Sequence, residues 1–167
     1  MAKIIIDQPS WKSLDMADLR YIDADHKSEL VPEIEAVETL EEAVKMLEHC
    51  IGFHNPAMKI IPKQTPIFVV NIDRDYLPHI VEKRQDARER YVNFALDTLE
   101  NPYEIWEAQY DDGMCRYLFI GTYKQRYQVL CVVAPWEGKL LWNFMQNEAK
   151  SMNKHRYGKL LYQRHPA

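Results

Sequence analysis

The sequence predicts an α+β fold in which N-terminal helices pack on a four- to five-stranded antiparallel sheet. Three observations carry that expectation. Before residue 101 the apolar residues recur with helical spacing behind two capping-box patterns. After Asn101-Pro102 the apolar period changes to two. The segments beyond that point are joined by links too short for crossover connections, so neighbours should pair antiparallel.

The elements follow in chain order. Residues 1–36 have little regular period, with Pro9 and Pro32 as breaks, and are expected to be dispensable for the sheet. Thr39 and Glu42 form a capping box. Leu40, Ala43, Val44, Leu47 and Ile51 then share one face, and Gly52 is placed to end the helix over 40–51. HNPAMKIIPKQTP reads as a connector with a short extended piece, and IFVVNI (67–72) as a strand. A helix over 77–84 has Asp75 as its expected N-cap and Pro78 in its first turn, where backbone N–H groups lack partners. A further helix spans about 87–100, with Asp86 and Glu89 as a capping box and Tyr91, Phe94, Ala95 and Leu99 as its apolar stripe. EIWEAQY, RYLFIGTY, YQVLCVVAPW and KLLWNFMQ are the strands of a meander linked by DDGM, KQR and EG, and GKLLYQ is a last strand.

The 167 residues and 47% apolar content suit a globular chain that buries a core without staples. Cys50, Cys115 and Cys131 contain no CxxC pair, so they are expected to be reduced thiols rather than a zinc site or disulfide framework. MAKIIIDQPSW does not read as a signal peptide, and the longest apolar run, VLCVVA, is too short to span a bilayer. No membrane partner is expected. Charge divides the chain. Residues 1–65 carry 7 Lys+Arg against 12 Asp+Glu, a net of −5, while 66–167 carry 14 against 13, a net of +1. The expected organisation is an acidic extension over 1–65 with one amphipathic helix, followed by an α+β domain over 66–167.

Candidate chemistry gathers in LPHIVEKR, residues 77–84. On one helix His79 and Lys83 lie a turn apart on the same face, leaving Leu77, Ile80 and Val81 for the core. That spacing is also what a solvated amphipathic helix shows. Arg116 opens a strand, Lys124 and Arg126 sit at a turn, and Arg156 lies in KHRYGKLLY. Asn143 interrupts LLWNFM on the side of Leu141 and Met145, and an amide there needs partners if it is buried.

The H-x-x-x-x-R of LPHIVEKR, the helix end T-L-x-N-P-x-E-I-W and the closing R-x-G-x-L-L-Y together resemble the phage barnase–EndoU–colicin–RelE-like nuclease family, over roughly residues 65–163. That resemblance implies a barnase/RelE-like fold and a metal-independent endoribonuclease of phage, prophage or toxin origin. Carried over by motif, it points to His79, Arg84, Trp106, Arg156 and Tyr162. Arg116, Lys124 and Asn143 are added from their sheet placement, and Lys83 from its place beside His79. RNA cleaves itself when a 2′-OH attacks the adjacent phosphorus. The reaction needs a proton acceptor, a proton donor and cations at the phosphorane. An imidazole suits the first two tasks and a guanidinium the third. The expected catalytic set is therefore His79, Arg84, Arg156 and Asn143. Lys83, Arg116, Lys124, Trp106 and Tyr162 are the expected substrate contacts, Trp106 either stacking a base or packing the core. Related nucleases often place a hydroxyl near position 143, where this chain has an amide.

The sequence shows no HExxH, no acidic cluster at metal spacing and no Gly-rich phosphate loop, so neither metal nor cofactor is expected. RNA is the expected partner, with a phage structural protein or an immunity or antitoxin protein as further candidates. The expected location is cytoplasmic, virion-associated or inside a target cell. Two other classes stay open. One is a non-catalytic phage structural or interaction module, which the near-neutral charge of 66–167 favours. The other is a group-transfer enzyme acting on ADP-ribose.

Overall fold

A computed structural model describes residues 2–136 and 139–166. Its larger sheet has five strands in the order β6-β5-β4-β3-β7. They are β3 (Glu104–Gln109), β4 (Cys115–Gly121), β5 (Tyr127–Trp136), β6 (Lys139–Glu148) and β7 (Lys159–Gln163). All four pairings are antiparallel, as the period-two pattern and short links require. The expected Glu137-Gly138 turn lies outside the described residues. A separate hairpin pairs β1 (Ile60–Gln64) with β2 (Val69–Asp73). The boundary expected between residues 65 and 66 thus falls in the turn of this hairpin.

The helices differ from their sequence readings in instructive ways. Helix α1 (Leu40–Ile51) begins at the Thr39 cap, whose hydroxyl accepts from the Glu42 N–H at 3.1 Å, and ends at Gly52 with φ 111°. Helix α2 is short, Leu77–Val81, and runs on from a 3-10 turn over Arg74–Tyr76. Its entry is capped by Asp73, which accepts from the Asp75 N–H at 3.0 Å, so Asp75 is not the cap. The chain leaves the helix before Lys83, whose backbone is extended. Helix α3 covers only Val92–Glu100, because residues 88–91 form a 3-10 turn behind Ala87 in the left-handed region. Asp86 and Glu89 therefore do not make the expected capping box. Glu89 is drawn inward to a different partner, described below. A last short helix, α4 (Ala149–Met152), leads into a 3-10 turn over Asn153–His155.

Both faces of the five-stranded sheet are apolar and both are covered. Strand alternation sends Phe119, Cys131 and Phe144 to one face, where they meet Leu47, Ile72, Leu77, Ile80, Phe94 and Leu99 of the helices and hairpin. It sends Trp106, Leu118, Ile120 and Leu130 to the other, where they meet Met152 of α4 and Leu19 and Ile22 of the N-terminal segment. That segment is bonded to the sheet along its length. The Ile5 N–H donates to Gln109 O at 3.0 Å, the Gly158 N–H to Pro9 O at 2.7 Å, and the Ser28 N–H to Thr122 O at 2.8 Å. Gly158 permits the close approach of the chain to β3: its φ is 99°, and a Cβ there would meet Glu107 O at 2.1 Å. The cysteines are free thiols, Cys131 buried and Cys50 and Cys115 half-buried. Among the described residues no helix is long and apolar enough to cross a membrane.

The expectation that residues 1–36 are dispensable is therefore revised. Burying two aliphatic side chains such as Leu19 and Ile22 stabilises by about 3–6 kcal/mol, comparable to the whole net stability of a small domain. A chain beginning at residue 37 should lose its cooperative thermal transition and bind a hydrophobic dye. A sharp transition unchanged from the full chain would show that the wrap adds nothing.

Candidate functional site

Two of the expected arginines are committed to the architecture. Arg84 follows α2, and the Ala87 corner turns the chain so that Glu89 comes back beneath it. Its guanidinium holds both Glu89 oxygens, at 2.8 and 2.7 Å, and also donates to Val37 O at 2.7 Å and Val81 O at 3.1 Å. Glu89 is fully buried. Burial alone would raise its carboxyl, but the hydrogen bonds from Arg84 and from the Val37 N–H outweigh it, and the group is held below the usual carboxylate range.

Arg156 is likewise buried. It grips Glu104 of β3 at 2.7 and 2.8 Å, and donates to Ala17 O at 2.8 Å and Asn153 Oδ1 at 3.0 Å. Trp106 is fully buried beside this pair, its indole N–H donating to Glu104 Oε1 at 3.0 Å, so it serves the core. Tyr162 packs half-buried at the margin of the helix-side core. Lys124 stands on the surface, ion-paired with Glu29.

The remaining expected residues lie on one flank. His79 projects from α2 with its side chain 61% exposed, and its Nδ1 lies 3.7 Å from Glu82 Oε2. Its ring leans on Tyr76, centroids 5.1 Å apart. Tyr76 in turn lines a cavity of about 290 Å3 whose other walls include Arg116, Val132 and Asn143. The register explains the last three. Leu118, Val132 and Asn143 form one cross-strand row, and Arg116 lies two residues along β4 on the same face. Arg116 is paired with Asp112 at 2.9 Å and lies over the Tyr110 ring at 4.1 Å, which fixes its head at the cavity rim. The half-buried Asn143 accepts at its side-chain oxygen from Arg88 at 3.3 Å and from the Phe144 N–H at 2.8 Å. Lys83 is exposed and makes no ion pair among the described residues. Tyr76 thus touches His79 and lines the cavity together with Arg116 and Asn143. The structure sets Arg84, Arg156, Trp106, Tyr162 and Lys124 apart.

Tyr76 and Arg88 were not singled out by sequence. Tyr76 directly precedes LPHIVEKR, a position that only the turn-to-helix geometry makes useful. A larger cavity, about 910 Å3, lies elsewhere and is lined in part by Tyr103, Arg164, His26 and His165. Its two imidazoles stack at 4.1 Å. Among the described residues no group of three or more His, Cys, Asp or Glu side chains is arranged to hold a metal.

Residues 60–163 match the model of a family described as phage-Barnase-EndoU-ColicinE5/D-RelE like nuclease2. The match begins at β1, ends with β7 and covers more than half of the 167 residues. The chain belongs to that family. No curated protein and no solved structure matches it.

The Arg84–Glu89 pair makes a pH prediction. A carboxyl whose folded value is depressed contributes stability above its unfolded value, and that contribution is lost as pH falls through the folded one. Arg84→Ala should cost about 3–5 kcal/mol in urea unfolding at neutral pH, because it leaves a buried charge without its partner. In that variant only backbone N–H groups still oppose burial, so moderate acid should cost it less stability than it costs the wild type. Parallel pH profiles for the two proteins would contradict this account.

Proposed function

From membership of that nuclease family, we propose that the protein cleaves RNA by attack of a 2′-OH on the adjacent phosphorus, without a metal, on the flank carrying His79, Tyr76, Arg116 and Asn143. One observation carries the placement. The family match contains two histidines, His79 and His155, and of these His79 is the exposed one. His155 is half-buried; burial, with Lys154 beside it, lowers its tendency to protonate, and its Nδ1 is buried without a partner. The stacked pair in the larger cavity, His26 and His165, falls outside the matched residues and cannot be the part shared with the family.

The residue chemistry suits the reaction. The 2′-O–P bond forms as the P–O5′ bond breaks, leaving a 2′,3′-cyclic phosphate and a 5′-hydroxyl. A proton must leave the 2′-oxygen and another must reach the 5′-oxygen. His79 performs one of these transfers, with the Glu82 carboxylate 3.7 Å from its Nδ1. Arg116, at the rim of the cavity that Tyr76 lines, offsets charge on the phosphorane. Tyr76 offers a ring against which a base stacks. Arg84 and Arg156 act through the fold, since their guanidinium groups already hold buried carboxylates.

With EDTA present, cleavage by the wild type should persist. His79→Ala should slow it roughly 10²- to 10⁴-fold, the usual contribution of a positioned acid or base. Arg116→Ala should slow it about 10²- to 10³-fold if it holds a phosphorane oxygen. Both variants alter exposed or half-exposed side chains and should keep the wild-type melting temperature. Full activity in folded His79→Ala protein would remove the imidazole from the reaction. A wild type that cleaves no RNA would identify a non-catalytic module of this fold.

A further inference from the structure

Many cations on this protein are paired locally with carboxylates. Lys45, Lys63 and Lys124 pair with Glu41, Glu100 and Glu29, and Arg74, Arg116 and Arg126 with Glu48, Asp112 and Glu148. In one place three lysines unpaired among the described residues stand together. Between the N-terminal wrap and the α4 segment lies a groove of about 210 Å3, lined by Trp11, Lys12, Arg20, Lys150, Lys154 and Tyr157, with Asp18 and Asn153 in its floor. Lys12, Lys150 and Lys154 are exposed, and none of them makes an ion pair among the described residues. The single carboxylate is already engaged. Asp18 is held by Arg20 at 2.8 Å and by the Asn153 amide at 2.9 Å, and the Arg20 hydrogen bond holds it well below the usual carboxylate range. Four cations against one carboxylate leave the groove at a net of +3 on a chain whose formal charge is −4.

The aromatic component is fixed in place. Trp11 donates its backbone N–H to Arg156 O at 3.0 Å, and the buried Arg156 guanidinium lies 5.3 Å from its ring centre. Lys12 stands 5.5 Å from the same ring. Tyr157 is anchored by a backbone bridge to Ser10. Both rings are half-buried and so present one part to solvent.

We propose that this groove binds single-stranded nucleic acid, with Lys12, Lys150 and Lys154 on consecutive phosphates and Trp11 or Tyr157 against a base. Unpaired cations beside fixed aromatic rings are what a single strand requires, since it offers phosphates and unstacked bases together. A depression of this volume can take one base. Trp11, Lys12 and Arg20 lie outside the residues matched to the nuclease family, so the groove is an addition to that domain. The inference rests on the nucleic-acid chemistry of the family but is independent of His79.

The test is fluorescence anisotropy with a labelled 2′-O-methyl oligouridylate of roughly 12 nucleotides, a length within the span of known single-strand sites. That probe cannot react through a 2′-OH, so binding is read apart from cleavage. The wild type should bind with an affinity that falls as salt rises. Lys12→Ala/Lys150→Ala/Lys154→Ala should weaken binding at least tenfold. It should also flatten the slope of log affinity against log salt by about 2, three contacts at ~0.7 each. Lys59→Ala, at an exposed lysine outside the groove, should bind like the wild type, and because the probe cannot be cleaved a failure of the cleavage reading leaves this result intact. Should the triple variant fail the unfolding check, a 4-thiouridine oligonucleotide cross-linked to the wild type should attach to the peptide containing Trp11 or that containing Tyr157. No binding by the wild type, an unchanged salt slope in the folded triple variant, cross-links elsewhere only, or equal competition by a polyglutamate peptide would each overturn the proposal.

Discussion

A guanidinium and a carboxylate buried together, Arg156 and Glu104, tie three separate parts of the chain into one structure. Glu104 opens β3, and Arg156 lies just before β7, the strand that pairs with it. The remaining donors of Arg156 reach Ala17 in the N-terminal wrap and Asn153 in the turn after α4, while its cationic face meets Trp11. Such a pair brings little net stability of its own, because desolvation offsets most of the attraction. Its effect is on arrangement: with one partner missing, the other is left charged in the core. The wrap, the edge strand and the α4 turn are therefore constrained to assemble together. Arg84 and Glu89 do the same on the helix side, where they bring in Val37.

These two pairs decide what the site can contain. Both motif arginines have their donors directed at buried carboxylates, so phosphate chemistry falls to side chains that remain open. The short helix α2 provides them. Because the helix stops at Val81, Lys83 diverges from the His79 face, and it is Tyr76, one residue before the helix, that links the histidine to Arg116 and Asn143. Charge follows the same logic. The chain is acidic overall, yet three lysines without ion pairs among the described residues gather in one groove.

The fold was largely legible because its signals are local. The Thr39–Glu42 box, the Gly52 stop and the switch of period after Pro102 each act within a few residues, and each stands where it was expected. The failures have a common cause. Asp86 and Glu89 have capping-box spacing, but Glu89 finds a stronger partner in Arg84 and turns inward. Leu19 and Ile22 show no period because the wrap is neither helix nor strand; it is held by bonds to residues about 100 positions or more away. A buried arginine and a surface arginine read alike in sequence, so the motif position of Arg156 does not reveal that its guanidinium is already held by Glu104. His79 was legible as an imidazole on a short basic helix. The cavity beside it was not, since Tyr76, Arg116 and Asn143 meet only through the sheet register and the turn into α2.

The central claim is that a ribose 2′-hydroxyl is the nucleophile on the His79 flank. It is tested most directly by one oligonucleotide substitution. The cut site is first mapped on an all-ribose strand, and the strand is then remade with a single 2′-deoxyribose at the nucleotide 5′ to that cut. Cleavage at that bond should stop while other bonds in the strand remain susceptible, and the all-ribose product should carry a 2′,3′-cyclic phosphate. Cleavage of the deoxy-substituted bond at an unchanged rate, leaving a 5′-phosphate end, would show that water rather than the ribose attacks and would contradict the account.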